Sequence, residues 1–376
     1  MFPFTSMDFW DTPLEARDSD HFTVIDASQG TVNDAHARFA LNHSSLPRGV
    51  KLEQGWRGGS GSLFQLWLTS DAENGFGRMF STHNRIEIGK TLDWLIENKD
   101  SGFRDLIDRL SSLDFTDEEV GRQLDQIHGD LAPNAFFLAF KESWRHTFSR
   151  LASISPYSSP LDYDRSQSRA WGEFIGRREK TDHDGNAHGS TIERYGVVAG
   201  ADYQLFPRSV TGITFQYTNP RLRQETGTVK AHDYEFGVYD MTRLTDNLDL
   251  KAYFGYSHQR YDFSRTVSLP ASPSGSYGAF YEQLNGRSSG HTISSSIELV
   301  RPIQWLHNLR LLPLAAGDFE KAWIGGYQES SGRTSLVYDK ATMERVMFRF
   351  GLDSEFTFQS GLYLKPKAQY AAQLND

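Results

Sequence analysis

The sequence predicts a mostly β protein in which the chain from about residue 168 onward forms a transmembrane antiparallel β-barrel. Three observations predict this class: strict alternation of apolar and polar residues, long runs of that alternation, and connections of alternating length. The runs reach about ten residues, and a strand needs about nine to eleven to cross a bilayer, against about five or six in soluble sheets. Because one face of such a strand is polar, the mean hydropathy of −0.54 is compatible with a membrane protein.

The alternation separates an apolar face from a charged one along each predicted strand. We expect the apolar face to contact lipid at Tyr195, Phe254, Phe348 and Leu364. We expect the charged residues of the opposite face to line the lumen: Arg194, Asp202, Asp233, Glu235, Lys251, Arg349, Asp353, Glu355, Lys365 and Lys367. A soluble β-sandwich also alternates and would expose these charges to water, so alternation alone leaves that class open.

The connections between the predicted strands alternate between short and long. The short ones lie at residues 205–208, 243–247, 304–308 and 359–361. The long polar ones lie at residues 180–189, 219–228, 264–285 and 330–339. Outer-membrane barrels sort their connections in this way, with short periplasmic turns and long outer loops, whereas a sandwich has no reason to do so. The pattern gives nine strands, and since bacterial single-chain barrels are even-numbered, we expect the barrel to be incomplete after Asp376.

Residues 84–152 change to a helical period. Phe103, Leu106, Ile107 and Leu110 form a single apolar stripe. Thr116 and Glu119 have the T-x-x-E spacing of a capping box, which predicts that a helix begins there.

A further helix is predicted from Pro133 to Leu151, since proline suits a first helical turn. Its aromatic face carries Phe137, Phe140, Trp144 and Phe148. About 18 residues at 1.5 Å each would span about 27 Å, close to the thickness of a bilayer core. An ordinary amphipathic helix that faces a protein core explains these aromatic residues equally well.

The chain before residue 75 contains short β-like runs at residues 22–25, 29–32, 37–41 and 63–68, separated by glycine and polar residues. Two interpretations stay open for this region. It could be the edge of a small β-sandwich, or it could be the last coils of a β-solenoid.

No motif in the sequence predicts an enzyme, a cofactor site or a metal site. Gly286-Arg287-Ser288-Ser289-Gly290 matches G-x-S-x-G, but a nucleophile elbow needs a following helix and a strand is predicted instead. The acidic and histidine-containing residues 182–188 lack the rest of a calcium loop and are interpreted as a solvated loop. Residues 58–61 are glycine-rich without the lysine of a phosphate-binding loop. The net charge of −9 argues against a nucleic-acid partner.

Three segments, in the same order along the chain, resemble the C-terminal part of autotransporters, the type V secretion family. Residues 22–28 through 63–68 resemble the last coils of the exported passenger. Residues 123–131, with the sequence QLDQIHGDL, resemble the family's linker motif. Residues 170–176 (AWGEFIG) followed by residues 195–203 (YGVVAGADY) resemble its first barrel hairpin.

This resemblance implies a twelve-stranded barrel in the outer membrane of a Gram-negative-type bacterium, with a helix in its lumen, that helps an N-terminal passenger to the cell surface. It implies a passenger end at residues 1–75, a helical linker at 84–152 and a barrel at 165–376 that lacks about three strands. The implied partners are outer-membrane lipid, the barrel-insertion machinery, periplasmic chaperones and the chain's own passenger. A surface adhesin that uses the barrel only as an anchor is the alternative, while an ordinary porin should lack the helical region.

Overall fold

The computed structural model describes residues 21–26, 50–57, 63–70, 75–97, 104–111, 115–153, 169–183, 187–206, 208–357, 363–364 and 366–374. Its first strands are β1 (His21–Asp26), β2 (Val50–Arg57) and β3 (Leu63–Ser70). Its helices are α1 (Phe76–Met79), α2 (His83–Glu97), α3 (Arg104–Ser111), α4 (Asp117–Ile127), α5 (Leu131–Asn134), α6 (Phe136–Ala139) and α7 (Trp144–Ser153). Residues 115–153, which include α4 to α7, are called the linker.

The remaining strands build one large sheet and a small hairpin. They are β4 (Arg169–Thr181), β5 (Ser190–Phe206), β6 (Ser209–Gln224), β7 (Gly227–Thr245), β8 (Leu248–Leu269), β9 (Phe280–Val300), β10 (Ile303–Leu306), β11 (Leu309–Ile324), β12 (Tyr327–Gln328), β13 (Val337–Tyr338), β14 (Ala341–Thr357), β15 (Tyr363–Leu364) and β16 (Lys367–Gln373). The hairpin is β12 with β13.

The large sheet is an antiparallel ladder in which each strand pairs with its neighbour along the chain. Its order is β4-β5-β6-β7-β8-β9-β11-β14-β15, with β16 also paired to β14 and β10 paired to β11. The ladder curls into a half-barrel of nine strands, which confirms the predicted strand number and fold class. Backbone groups in a bilayer core find no water, and this ladder satisfies them between strands.

The strands are longer than a bilayer crossing needs. β8 has 22 residues and β9 has 21. The predicted long loops at 219–228 and 264–285 are therefore largely wrong: the first is a two-residue connection between Gln224 and Gly227, and the second is shortened to residues 270–279. The physical reason is that inward residues of these extensions, such as Leu222 and Val229, are buried against the linker and so give the ladder a core to continue on.

The two ends of the ladder differ in their connections. One end, called the long-loop end, carries the β4–β5, β6–β7, β8–β9 and β11–β14 connections. The opposite end, called the short-turn end, carries the tight turns after β5, β7 and β10 that were predicted at 205–208, 243–247 and 304–308. The predicted turn at 359–361 lies outside the described residues.

The face of the sheet turned away from the helices carries a continuous apolar band. Tyr195, Phe254, Phe348 and Leu364 are all exposed on it. The strand register aligns further members of the band side by side: Phe215 pairs with Phe236, Val238 with Phe254, and Ala315 with Phe350. A band of this kind suits contact with lipid hydrocarbon and would be costly in water.

The helices before the linker pack with it at the long-loop end. Thr116 and Glu119 form the predicted capping box at the start of α4. The predicted apolar stripe contributes Ile107 and Leu110, which are fully buried in a cluster with α4 and with Leu284 of β9. None of the described helices combines the length and the hydrophobicity that a membrane-spanning helix requires.

The predicted single helix from Pro133 to Leu151 is wrong. The structure has α5 and α6, a break at residues 140–143, and then α7. Glu142 has a φ of 53° within this break, a conformation that non-glycine residues rarely adopt. Phe137 is 50% exposed, while Phe140, Trp144 and Phe148 are buried, so the four aromatic residues do not share one face.

The first three strands form a separate small sheet in the order β1-β3-β2, with antiparallel pairing throughout. β1 and β3 contain the predicted runs 22–25 and 63–68, whereas β2 was not predicted. Coils of a β-solenoid stack their strands in parallel. The antiparallel sheet observed here therefore does not match the interpretation of this region as the end of a β-solenoid. The predicted runs 29–32 and 37–41 lie outside the described residues.

The apolar band gives a depth-dependent prediction. We expect Phe236→Arg, at the middle of β7, to lower the free energy of unfolding by about 2–4 kcal/mol because the guanidinium faces hydrocarbon. Thr228→Arg is the matched control, since Thr228 lies on the same strand beside the β6–β7 turn and should cost about 0–1 kcal/mol. Urea unfolding of the chain refolded in lipid vesicles measures both, and equal costs would contradict a membrane-facing band.

Candidate functional site: the buried contact between linker and sheet

The break between α6 and α7 places a buried ion-pair cluster against the middle of β7. The Lys141 ammonium lies 2.6 Å from Asp233 Oδ2 and 2.5 Å from Glu235 Oε2. The three side chains are only 2%, 0% and 2% exposed. Two carboxylates that are buried next to each other would repel and lose hydration, so the cation between them is what makes this arrangement tolerable.

Polar side chains around this cluster bind the linker to the strands. Arg194 of β5 donates a hydrogen bond to the Leu138 carbonyl oxygen at 3.0 Å. Ser143 donates to Glu235 at 2.6 Å, and Tyr253 of β8 donates to the same carboxylate at 2.5 Å. The sheet therefore holds both the backbone and the side chains of the linker where its helix is broken.

The opposite wall of the half-barrel holds the break through Glu320 of β11. One Glu320 oxygen accepts the backbone N–H of Lys141 at 3.2 Å and that of Glu142 at 3.1 Å. The other oxygen accepts from Arg345 of β14 at 2.9 Å. Glu142 in turn pairs with Arg145. A buried acceptor that takes two consecutive N–H groups stabilises the non-helical conformation at residues 140–143 and explains why the predicted helix is interrupted.

A second charged layer lies among the strands towards the short-turn end. Lys251 pairs with Glu298 at 2.8 Å, and Arg349 pairs with Asp318 at 2.5 Å. The Lys251 ammonium also lies 5.8 Å from the centre of the Phe148 ring of α7, which is a cation–π distance. This layer therefore reaches the linker through an aromatic ring rather than through an ion pair.

The predicted charged residues do not all occupy equivalent positions. The buried ones are Arg194, Asp202, Asp233, Glu235, Lys251, Arg349 and Glu355. Asp353 is half-buried and Lys367 is exposed, and the two lie 3.8 Å apart. Lys367 is exposed because it lies on β16, an edge strand of the described ladder. Lys365 lies outside the described residues.

Several members of the site were not predicted from the sequence. Glu298, Asp318 and Glu320 occupy inward positions of β9 and β11, and extending the alternation through those strands would have identified them. Arg345 lies at the inward position of β14 directly opposite Glu320, so the same alternation along β14 would have identified it as well. Lys141 has no sequence signal, because nothing in the surrounding residues shows that its partners would be on β7.

A polar group at the long-loop end joins the linker to the β4–β5 connection. His128 and Asp130 follow α4, and His188 precedes β5. His188 Nδ1 lies 3.0 Å from Asp130 Oδ2, and the His128 and His188 ring centres are 5.0 Å apart. Burial acts to raise the pKa of the Asp130 carboxyl, but contacts with His128 and His188 outweigh burial and hold that pKa well below its usual value. The hydrogen bond to Asp130 raises the pKa of His188.

The structure accounts for two motifs that were not interpreted as functional sites. Ser288 of the G-x-S-x-G match lies within β9 and donates a hydrogen bond to the Gly325 carbonyl oxygen at 2.5 Å, as a strand residue rather than at an elbow. Residues 182–188 do not form a wholly solvated loop: Asp182 is exposed, but His188 is buried. Residues 58–61 and 184–186 lie outside the described residues.

The family of this chain is decided by a match that covers the large sheet. A family model described as the autotransporter beta-domain matches residues 170–376, which is more than half of the chain. The chain belongs to the autotransporter family. Membership confirms the resemblance found in the sequence and places this autotransporter in the outer membrane.

Relatives of this autotransporter are longer than the chain. Two proteins named extracellular serine protease, both from Serratia marcescens, are 26% and 24% identical to it over 246 residues. The match covers 65% of this chain but only 22% of each relative. The translocator domain of the autotransporter NalP from Neisseria meningitidis is similar in structure at 13% identity and a TM-score of 0.47, covering 61% of this chain and 77% of that one.

The names of these relatives include the word protease, so it matters which of their residues this chain matches. The residues that match the family model are those of the β-domain, and the sequence match covers only 22% of each relative. The word protease in the names of the relatives therefore describes whole proteins of which this chain spans about a fifth.

The Lys141 cluster gives a prediction about stability. We expect Lys141→Met to lower the free energy of unfolding by about 3–5 kcal/mol, because it leaves two buried carboxylates with only Arg194, 4.0 Å from Asp233, as a nearby cation. The triple variant Lys141→Met/Asp233→Asn/Glu235→Gln should regain most of this loss, since it removes the uncompensated charges. Urea unfolding of the refolded full chain measures the difference.

A control variant removes one partner of a solvent-exposed ion pair. Lys90 and Glu87 form an exposed pair at 2.7 Å on α2, and Lys90→Met should change stability by no more than about 1 kcal/mol. If Lys141→Met cost as little as Lys90→Met, the cluster would not be a buried element of the linker contact.

Proposed function

We propose that this chain is the translocator part of an autotransporter, which exports its own N-terminal passenger across the outer membrane and then anchors it. The observation that carries the proposal is the position of the linker. It lies against the inner face of the curled sheet and is held there by Lys141, Arg194 and Glu320. The two ends of the linker contact opposite ends of the same ladder, α4 near the long loops and α7 near the short turns.

The direction of the linker supports export from the short-turn end to the long-loop end. α7 packs its Trp144 and Phe148 against Val210 and Met241, close to the turns after β5 and β7. α4 packs at the other end, against Leu284 of β9. Long loops of outer-membrane barrels face the outside, so the chain that precedes α4 would emerge on the cell surface.

The charged inner face suits the passage of a polypeptide. We assign the ten predicted residues that include Asp233 and Lys251, together with Glu298, Asp318 and Glu320, to the lining of the lumen. Carboxylates and cations keep such a lining hydrated, so that an extended chain can pass without losing its backbone hydrogen bonds to water. After export, the linker replaces that water with the ion pairs described above.

We infer a division of the chain into the C-terminal end of the passenger at residues 1–75, a helical linker region at 84–152, of which the linker defined above is the C-terminal part, and the β-domain at 165–376. The exposed apolar band supports outer-membrane lipid as a partner. Insertion of such a band from the periplasm would use the cell's barrel-insertion machinery and chaperones that shield it on the way.

Export can be tested by the accessibility of epitopes on intact cells that express the whole gene. We expect an epitope placed before β1 to be labelled by antibody and removed by added protease without permeabilisation. An epitope inserted between Asp246 and Asn247, in the turn after β7, should become accessible only after permeabilisation. The apparent size of the barrel with and without boiling provides the folding control.

Two outcomes would decide against the proposal. An epitope before β1 that stays hidden while the barrel shows a heat-modifiable band would exclude export of the preceding chain. An exposed turn epitope would show that the orientation is reversed. An adhesin that uses the barrel as an anchor would also expose the first epitope, and binding of the exposed region to host or bacterial surfaces would distinguish that role.

A further inference from the structure

We propose that His128, Asp130 and His188 form a binding site for a divalent transition-metal ion of the zinc class, which fastens the linker to the β4–β5 connection. One potential ligand atom from each residue lies within 4.8 Å of the others. The residues come from two parts of the chain, the end of α4 and the connection before β5. The proposal concerns binding at the long-loop end and does not depend on which passenger is exported.

The donor set favours this class of ion. Two imidazoles and one carboxylate are ligands that Zn²⁺ and neighbouring first-row ions bind well, whereas Ca²⁺ and Mg²⁺ prefer oxygen ligands alone. The three residues are 5%, 8% and 8% exposed. Three protein ligands would leave a coordination position for water, as in many zinc sites.

Neighbouring groups orient the ligands. The backbone N–H of His128 donates to the Leu124 carbonyl oxygen at 3.0 Å and so fixes the start of the segment. Asp130 Oδ1 accepts from Gln224 Nε2 at 2.7 Å, and Asn134 donates to the Gln224 oxygen at 3.0 Å. Outer contacts of this kind hold metal ligands in position and strengthen binding.

One buried ligand atom has an unused bonding capacity. Nδ1 of His128 is shielded from solvent and makes no hydrogen bond. It lies 3.4 Å from Asp130 Oδ1, in an orientation that does not form a hydrogen bond. Buried polar atoms almost always have a partner, and coordination to a cation shared with Asp130 and His188 would supply one.

The charge around the site also favours a cation. Asp125 and Glu225 lie near enough to His188 to add negative potential there. Asp125 is already paired with Arg85 at 2.5 Å, while Gln126 donates to Glu225 at 3.2 Å. An ion that carries two positive charges would compensate Asp130 and the remaining negative potential together.

Binding of the metal ion would hold the linker against the sheet. The ligands join the end of α4 to the rim of the sheet, so an ion that binds only this arrangement stabilises the state in which the linker lies inside the half-barrel. The simpler explanation of the same residues is a buried ion pair between His188 and Asp130 that needs no metal. The two explanations differ in whether the protein binds one equivalent of metal.

The direct test is titration with Co²⁺, which reports coordination by visible absorption. The full chain, refolded in detergent, freed of its purification tag and treated with chelator, should bind one equivalent of Co²⁺ and release it when Zn²⁺ is added. Zn²⁺ should also raise the unfolding temperature of the wild-type chain. No absorption at one equivalent in the wild-type chain would overturn the proposal without any variant.

Variants assign the ligands. His188→Ala and Asp130→Asn should each weaken Co²⁺ binding by at least about 100-fold, since loss of a ligand exceeds the 10–100-fold effect of an outer contact. Asp130→Asn keeps the side-chain size, so it remains informative if His188→Ala does not fold. The matched control is His146→Ala, because His146 faces the single carboxylate of Glu173 at 3.4 Å. It should leave binding unchanged.

The competing outcomes are distinguishable. Binding that persists in His188→Ala and Asp130→Asn would place the metal elsewhere and overturn the assignment. Binding that falls equally in His146→Ala would indicate unspecific coordination by surface histidines and would also overturn it. A heat-modifiable band in each variant shows that the barrel itself has folded, so that export and metal binding are judged separately.

Discussion

The whole architecture depends on the need to pair every backbone N–H and C=O in a region without water. An antiparallel ladder meets this need between strands, and each strand of the large sheet is hydrogen-bonded to its neighbours for most of its length. Once the ladder is fixed, the alternation of side chains along each strand decides which residues lie on each face of the sheet. Every second side chain faces away from the helices and forms the apolar band, and the alternate side chains face the linker.

The charged side chains of the inner face then need partners of opposite charge. Charges such as Asp233, Glu235 and Arg349 would be costly if they were buried alone, and the structure pairs each of them with an opposite charge. The linker contributes Lys141 to this pairing, at the cost of a regular helix at residues 140–143. The break is thus a consequence of the charges on β7 and β11, which the local sequence of the linker does not reveal.

This explains which parts of the fold were predictable. Period two identified the outward positions of Tyr195 and Phe254, because those depend only on the strand itself. It failed at residues 219–228, where polar residues indicated a loop but buried Leu222 and Val229 continue the ladder against the linker. It also gave no indication that His188 would meet His128 and Asp130, since that contact joins elements about 60 residues apart through tertiary structure.

The contacts of the linker are arranged in layers of different chemistry. Apolar clusters hold it near the short turns through Trp144, near the long loops through Leu124, and along α5 and α6 through Leu138, while ion pairs hold the break at residues 140–143. Apolar contacts form only after helices have assembled, whereas a charged wall can remain hydrated around an extended chain. In the export that we propose, a lumen built in this way is permissive during passage and restrictive afterwards, because the same carboxylates that were solvated become the partners of Lys141. In that proposal the charged layer at the break serves both steps, and an entirely apolar lining would serve only the second.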